Sequence, residues 1–186
     1  MINTGSLTVK DGGFISSSAL SLNGNSGSIT INTGKLVLAD GGYISSSTFG
    51  NGSGQTIAID ATESVDIRGS YLAPSLLDSP RQLTYSTIRA AAIVLPPNSR
   101  QALGLPDRPT GNSGRIIINT PRLNVTDGAE VSVRNEGLGN AGNLEIHANS
   151  ILLDREGKIT ANTFSGAGGN ITLQVRDALI LSLIHI

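Results

Sequence analysis

Apolar residues alternate with polar ones in short runs that return at a fixed spacing along the chain. In one unit they fall at Ile29 and Ile31, again at Leu36 and Leu38, and then at Ile44. Alternation in twos is the pattern of a strand with one buried face. Turn-forming residues separate the runs at Thr33-Gly34, Asp40-Gly41-Gly42 and Gly50-Asn51-Gly52. Each unit therefore predicts three short strands and three corners.

The unit repeats along most of the chain. The segment from Ile2 to Ser18 returns almost residue for residue from Ile31 to Ser47. The equivalent residues of successive units are Ile2, Ile31, Ile59, Ile118, Ile146 and Leu173. They are separated by 29, 28, 59, 28 and 27 positions, and the spacing of 59 is interpreted as two periods. The repeat predicts an all-β fold, a right-handed single-stranded parallel β-helix (a solenoid) with coils of about 28 residues and three short strands per coil.

One segment interrupts the repeat. Between Tyr71 and Thr110 the pattern disappears, and six of the seven prolines fall there together with four arginines. The excess length is close to one period, so the segment is either a degenerate coil around Leu83–Leu95 or a loop that projects from the rod, and the second is favoured. The predicted organisation is therefore β-helix coils in 1–70, an insertion or degenerate coil in 71–110, coils of the same solenoid in 111–181, and a non-native tail in 182–186.

Composition narrows the classes of function. The 13 basic residues are balanced by 14 acidic ones, and only 3% of residues are aromatic. The chain therefore lacks the positive electrostatic potential that attracts nucleic acid, and no nucleic-acid partner is expected. The absence of cysteine excludes disulfide scaffolds and thiol nucleophiles. No apolar run approaches the roughly 20 residues of a membrane helix, so no membrane insertion is expected.

Candidate catalytic chemistry is sparse. Asp11, Asp40 and Asp127 fall in equivalent turns, where Asp before Gly is typical of a tight turn, and a shared cation is the lesser alternative. His147 alternates with Ile146 and is predicted to be an ordinary outward-facing side chain. A serine nucleophile would need a base and an orienting group, which the sequence does not supply. We therefore predict no catalytic, cofactor-binding or metal-binding residues, and no cofactor.

Two phenylalanines occupy the same place in their coils. Phe49 and Phe164 each lie five residues after an apolar strand residue, Ile44 and Ile159 respectively. Both are predicted to pack in the core or at a corner. A carbohydrate-stacking face is the less favoured alternative.

The repeat units resemble a known family of surface proteins. Segments such as Asp40–Gly50, Gly139–Ile146 and Gly168–Leu173 look like the passenger repeats of filamentous-haemagglutinin-like exoproteins, in the version common in cyanobacteria. The resemblance covers nearly everything outside the interrupted segment. It implies an internal passenger fragment of a secreted or cell-surface protein, exported by an outer-membrane two-partner secretion transporter that recognises the parent protein.

We expect the chain to act as a rigid stalk and adhesion surface without catalysis. Loops on a regular scaffold concentrate function, so a cell-surface or glycan receptor is expected to bind the insertion. The candidate partner-binding residues are of the aromatic and planar-cation types that anchor interfaces: Tyr71, Tyr85, Arg89, Arg100 and Arg108. The alternatives are a purely structural surface-filament repeat without a ligand and, less favoured, a polysaccharide lyase or hydrolase of the β-helix type, which would need clustered acids.

Overall fold

The computed structural model describes residues 1–72 and 82–182. Residues 73–81, which belong to the predicted insertion, and residues 183–186 of the predicted tail lie outside the described residues. The last described residue still follows the winding of the chain, because the amide of Ser182 donates to the carbonyl of Leu153 at 2.8 Å.

The described chain is almost entirely built of strands. In chain order the elements are β1 (Ile2–Val9), β2 (Phe14–Ala19), β3 (Ile29–Ala39), β4 (Tyr43–Thr48), β5 (Ile57–Arg68), β6 (Ser70–Leu72), β7 (Leu83–Tyr85), β8 (Thr87–Ala92), α1 (Pro97–Leu103), β9 (Ile116–Thr126), β10 (Glu130–Asn135), β11 (Leu144–Asp154), β12 (Lys158–Thr163) and β13 (Ile171–Leu181).

The strands stack into two parallel sheets. One sheet has the order β1-β3-β5-β9-β11-β13 and the other has the order β2-β4-β8-β10-β12. Each of the first five coils thus adds one strand to each sheet, and the sixth adds β13 to the first sheet, with neighbouring strands about 4.8 Å apart. The remaining pair, β6 and β7, forms a small antiparallel hairpin. The predicted parallel β-solenoid is confirmed, with six turns in the described chain.

The structure differs from the prediction in the number of strands per coil. The first two predicted strands are continuous, since β3 runs for 11 residues straight through Thr33-Gly34. A register shift between Thr33 and Lys35 bends the strand without ending its pairing to β5. The sixth coil contributes only β13 within the described residues, and each of the other five coils therefore has one long strand and one short strand. Its third side is a glycine-rich connection held to the neighbouring coils by backbone hydrogen bonds.

The core consists of side-chain columns that run along the solenoid. Ile31, Ile59, Ile118 and Ile146 are partners on successive coils, and all four are fully buried. Each such side chain contributes about 1.5–3 kcal/mol when it leaves water. Because a central side chain is covered by equivalents on both neighbouring coils, stability comes from stacking rather than from any single coil.

The 59-residue spacing corresponds to one coil, not two. Strand β5 pairs directly with β9, with Ile59 opposite Ile118, so no further coil lies between them. The chain is long there because two connections are extended. Eighteen residues join β5 to β8 where three join β3 to β4, and 23 residues join β8 to β9 where eight join β4 to β5.

The interrupted segment is thus neither a complete extra coil nor a single loop. Its strand β8 pairs with β4 and β10 and completes the third coil. The hairpin β6–β7 precedes β8, and the helix α1 follows it. The two extra lengths are equal, and together they happen to match one period of the repeat.

Tight turns connect the long strands to the second sheet. Asp11, Asp40 and Asp127 have φ values of 54°, 49° and 57°, and the glycine after each is also left-handed. Two consecutive positive φ values are the requirement of a type I′ turn, for which Asp-Gly is a preferred pair. The predicted turn role of these aspartates is confirmed. The fifth coil makes the same turn with Arg155 and Glu156, at φ 45° and 65°.

We expect Glu156→Gly to stabilise the protein by about 0.5–1 kcal/mol. A left-handed φ is costly for a residue with a Cβ, and glycine removes that cost while adding some freedom to the unfolded chain. Urea unfolding would compare the variant with wild type and with Glu156→Ala, which keeps the strained conformation. A glycine variant no more stable than the alanine variant would contradict this account of the turn.

Arg155 gives the same turn a pH-dependent contact. Its guanidinium donates to the carboxylate of Asp127 on the preceding coil, and this contact lowers the pKa of Asp127. A lowered carboxyl pKa contributes stability above the unfolded-state pKa of about 3.9, and that stability is lost as the pH falls through the folded-state value.

Arg155→Gln should therefore destabilise the protein at pH 7 but not at pH 2. The cost at pH 7 should be small because the ion pair is partly exposed to solvent, which screens it. Urea unfolding at the two pH values measures the difference, and NMR titration should show the pKa of Asp127 rising in the variant. An equal cost at both pH values would show that the guanidinium acts by packing alone.

Candidate functional site

The structure separates the five predicted partner-binding residues into two groups. Tyr71, Tyr85 and Arg89 lie with the hairpin at the start of β8, whereas Arg100 and Arg108 lie in the connection that follows its end. A six-residue strand spans about 20 Å, so no small ligand contacts both groups. The third coil therefore carries two candidate sites, one on either side of β8.

The hairpin tyrosines rest on the glycines of the tight turns. A Cβ added at Gly12 would lie 3.1 Å from Cδ1 of Tyr71, and Tyr71 also lies against Gly41. The ring of Tyr85 covers Gly128 in the same way on the other side of the hairpin. Tyr71 therefore anchors the hairpin to the first two coils, and Tyr85 anchors it to the fourth.

A small pocket opens beside the hairpin. It encloses about 250 Å³, and we call it the tyrosine pocket; its lining residues are Tyr43, Thr84, Tyr85, Thr87 and Arg89. Two of the predicted residues, Tyr85 and Arg89, are brought together here. Tyr43 was missed by the sequence analysis, although its alignment with Phe14 in the repeat was a usable signal because it stacks two aromatic rings on adjacent coils.

Arg100 supports the second extended connection from inside. Its Nη1 donates to the carbonyls of Leu95 at 3.3 Å and Asp107 at 3.1 Å, and its Nη2 donates to the Asp107 carboxylate at 3.2 Å. Its side chain is only 18% exposed. Arg100 therefore positions the connection around α1 and offers little surface to a partner.

Arg108 is the exposed cation of this connection. Its guanidinium carbon lies 3.9 Å from the centre of the Phe164 ring, and its Nη1 donates to the carbonyl of Glu136 at 3.3 Å. Phe164 is 65% exposed, so the prediction that it packs in the core or at a corner is wrong for this residue. Phe49, its counterpart, is half-buried. The two differ because Phe49 follows β4, which has a strand on either side, whereas Phe164 follows β12 at the edge of the sheet, where the Arg108 guanidinium covers one face of its ring as a cation–π partner.

The connection and two later coils border a wider groove of about 1010 Å³, which we call the arginine groove; its lining includes Arg100, Arg108, Arg134, Glu136, Leu138 and Phe164. Glu136 fixes one wall, because its carboxylate accepts from the amide of Val94 at 2.9 Å and from Arg134 at 3.0 Å. Three guanidinium groups therefore face two carboxylates, counting Asp107, and the groove carries a small positive excess.

His147 belongs to a polar ladder along the long strands. Its Nδ1 lies 2.8 Å from Oδ1 of Asn119, and Nδ2 of Asn119 donates to Asp60 at 2.6 Å. Because the amide oxygen of Asn119 is an acceptor, Nδ1 of His147 carries the proton. The ladder lines a shallow groove of about 630 Å³. The histidine faces outward as predicted, and its contacts are those of a structural ladder.

The described residues contain no ready-made metal centre. Within residues 1–72 and 82–182, no three His, Asp or Glu side chains are arranged to hold a metal ion. The same part of the chain has no helix that is long and apolar enough to cross a membrane.

Comparisons with known proteins add no relative. No family model matches the chain, and neither the curated proteins nor the solved structures give a significant match.

Proposed function

We propose that the chain is a rigid, non-catalytic segment of a secreted or surface-exposed exoprotein, similar to the passengers of filamentous-haemagglutinin-like proteins. The parent protein leaves the cell through an outer-membrane two-partner secretion transporter. Outside the cell, the solenoid acts as a stalk and presents a binding surface to a cell-surface or glycan receptor.

The stalk role is supported by the continuity of the solenoid. All six described coils pair through the sheet of long strands, and the first five also pair through the second sheet, with buried columns running along the coils. A rod built this way has few exposed loops for a protease to cut. Its stiffness follows from dense backbone hydrogen bonding rather than from a thick core.

The observation that carries the adhesive role is the concentration of irregular features in one coil. Both extended connections belong to the coil of β5 and β8; they carry four of the five predicted partner-binding residues, and the fifth, Arg89, lies on β8 between them. A regular scaffold with two irregular connections on one coil is how proteins place binding groups on a rigid frame.

A test of the adhesive role must keep strand β8 in place. Deleting residues 71–110 would remove β8 and break the solenoid, so each connection must be shortened separately. One variant replaces residues 69–86 with Asp-Gly-Gly, the turn found at residues 40–42. The other replaces residues 93–115 with the eight-residue connection of residues 136–143.

Attachment of cells and of glycan-coated beads to the immobilised chain measures adhesion. We expect both variants to keep the β-sheet circular dichroism of the wild type, and at least one to lose most attachment. Attachment that persists in both folded variants would overturn the assignment of adhesion to these connections. A wild-type chain that attaches to nothing would favour the purely structural filament over the adhesive stalk.

A further inference from the structure

An aromatic ladder on the second sheet stops after two rungs. Phe14 and Tyr43 are partners on adjacent coils, and their rings stack with centroids 5.2 Å apart and an angle of 11° between planes. The partner of Tyr43 on the next coil is Thr87. One face of the Tyr43 ring is thus covered by Phe14, and the other faces a position where the ladder has no ring.

The tyrosine pocket occupies the position of the missing rung. Both Tyr43 and its partner Thr87 line it, together with the hairpin residues Thr84 and Tyr85. The spacing between coils is about 4.8 Å, so the space above Thr87 accepts one flat ring lying parallel to Tyr43. A ligand ring bound there would continue the stacking that Phe14 and Tyr43 begin.

Arg89 borders the same space as a cation that has no ion-pair partner among residues 1–72 and 82–182. Among the described residues, Arg89 forms none of the ion pairs of the chain. Its Nε is buried and has no hydrogen-bond acceptor in the part of the chain that the structure describes. An anionic group in the pocket would give the guanidinium an ion-pair partner that it lacks among the described residues.

We propose that the tyrosine pocket binds one acidic sugar ring of an extracellular polysaccharide, such as a hexuronate. The apolar face of the pyranose ring stacks on the free face of Tyr43, whose π electrons attract the ring C–H groups. The carboxylate pairs with the guanidinium of Arg89, a charge-assisted bond stronger than a neutral one. This inference rests on the proposed adhesive function and names the chemistry of its ligand.

The lining favours a sugar over a plain aromatic acid. Thr84 and Tyr85 add side-chain hydroxyls, and the hydroxyl of Thr87 donates to the carbonyl of Tyr85 and so keeps its oxygen free to accept. Such groups complement a ring that carries several hydroxyls. An aromatic acid would stack equally well but would leave these hydroxyls without partners.

Titration of the full chain with trigalacturonate and with neutral maltotriose tests the proposal, using NMR or calorimetry. We expect trigalacturonate to bind and Arg89→Gln to weaken that binding at least about tenfold. Arg122→Gln is the matched control, because it removes an exposed arginine from the other sheet, outside the pocket. Phenylacetate serves as the aromatic acid without ring hydroxyls and should bind more weakly than the sugar.

A variant that fills the tyrosine pocket tests the proposal without weakening the fold. Thr87→Tyr should add the missing ring to the ladder, raise the stability of the solenoid and abolish trigalacturonate binding. The proposal is overturned if trigalacturonate does not bind, if Arg89→Gln and Arg122→Gln weaken it equally, or if it still binds the folded Thr87→Tyr protein. Loss of the hexuronate site with cell attachment intact would refute this inference while leaving the adhesive stalk in place.

Discussion

Gly139→Ala is expected to destabilise the protein by about 3 kcal/mol, more than any surface change. Gly139 belongs to a column of glycines on the third side of the coils: Gly52, Gly111, Gly139 and Gly166. At each of them an added Cβ would overlap the carbonyl of the glycine one coil earlier. Because the coil spacing is fixed by both sheets, the backbone cannot move apart to make room.

Gly168→Ala is the matched control for this prediction. Gly168 lies in a later connection, and an added Cβ there has no atom within 4 Å. The Gly168→Ala protein should unfold at nearly the same urea concentration as the wild type. The Gly139→Ala protein should unfold at a clearly lower urea concentration. Equal midpoints for the two variants would mean that the coils are not in contact along this side.

Ile118→Ala is expected to cost about 3–5 kcal/mol, because it leaves a cavity in the middle of a buried column. Ile118 is fully buried between Ile59 and Ile146, and neighbouring coils cannot collapse into the space without breaking their hydrogen bonds. Ile180→Ala removes a similar side chain that is 52% exposed on the last strand and should cost much less. Calorimetric or urea unfolding separates the two, and similar losses would contradict the central position of the isoleucine column.

The fold could be predicted from the sequence because its determinant is periodic. Period-two runs that return in register leave few arrangements other than stacked coils, and the predicted partners Ile2 and Ile31 are indeed opposite each other. The continuity of the long strand could not be predicted in this way. Thr33-Gly34 resembles a turn locally, but pairing with bent strands on neighbouring coils keeps it in the sheet.

The length of the irregular coil shows where pattern reasoning fails. Two insertions of equal size together have the length of one repeat, so the sequence suggested an additional coil. Only the direct pairing of β5 with β9 shows that there is none between them. Strand β8 was hidden because its inward positions carry alanine as well as Ile88. Alanine fits there because neighbouring coils supply the larger side chains, which is a tertiary effect.

The candidate site was predictable in composition but not in arrangement. Tyr85 and Arg89 do share a pocket, yet Arg100 is a partly buried support and Tyr71 an anchor. Their roles depend on which coil lies beside them, and single positions in the sequence do not contain that information. Tyr43 belongs to the pocket for the same reason, since it meets the hairpin only after the coils stack.

The most direct test of the stacked coils is disulfide formation between β5 and β9. The chain has no cysteine, so the double variant Asp60→Cys/Asn119→Cys contains a single pair of thiols. These residues are opposite each other, at about the Cα spacing that a disulfide requires. The account predicts rapid cross-linking on oxidation for this pair and none for Asn32→Cys/Asn119→Cys, two coils apart. Failure of the first pair, or equal cross-linking of both, would contradict it.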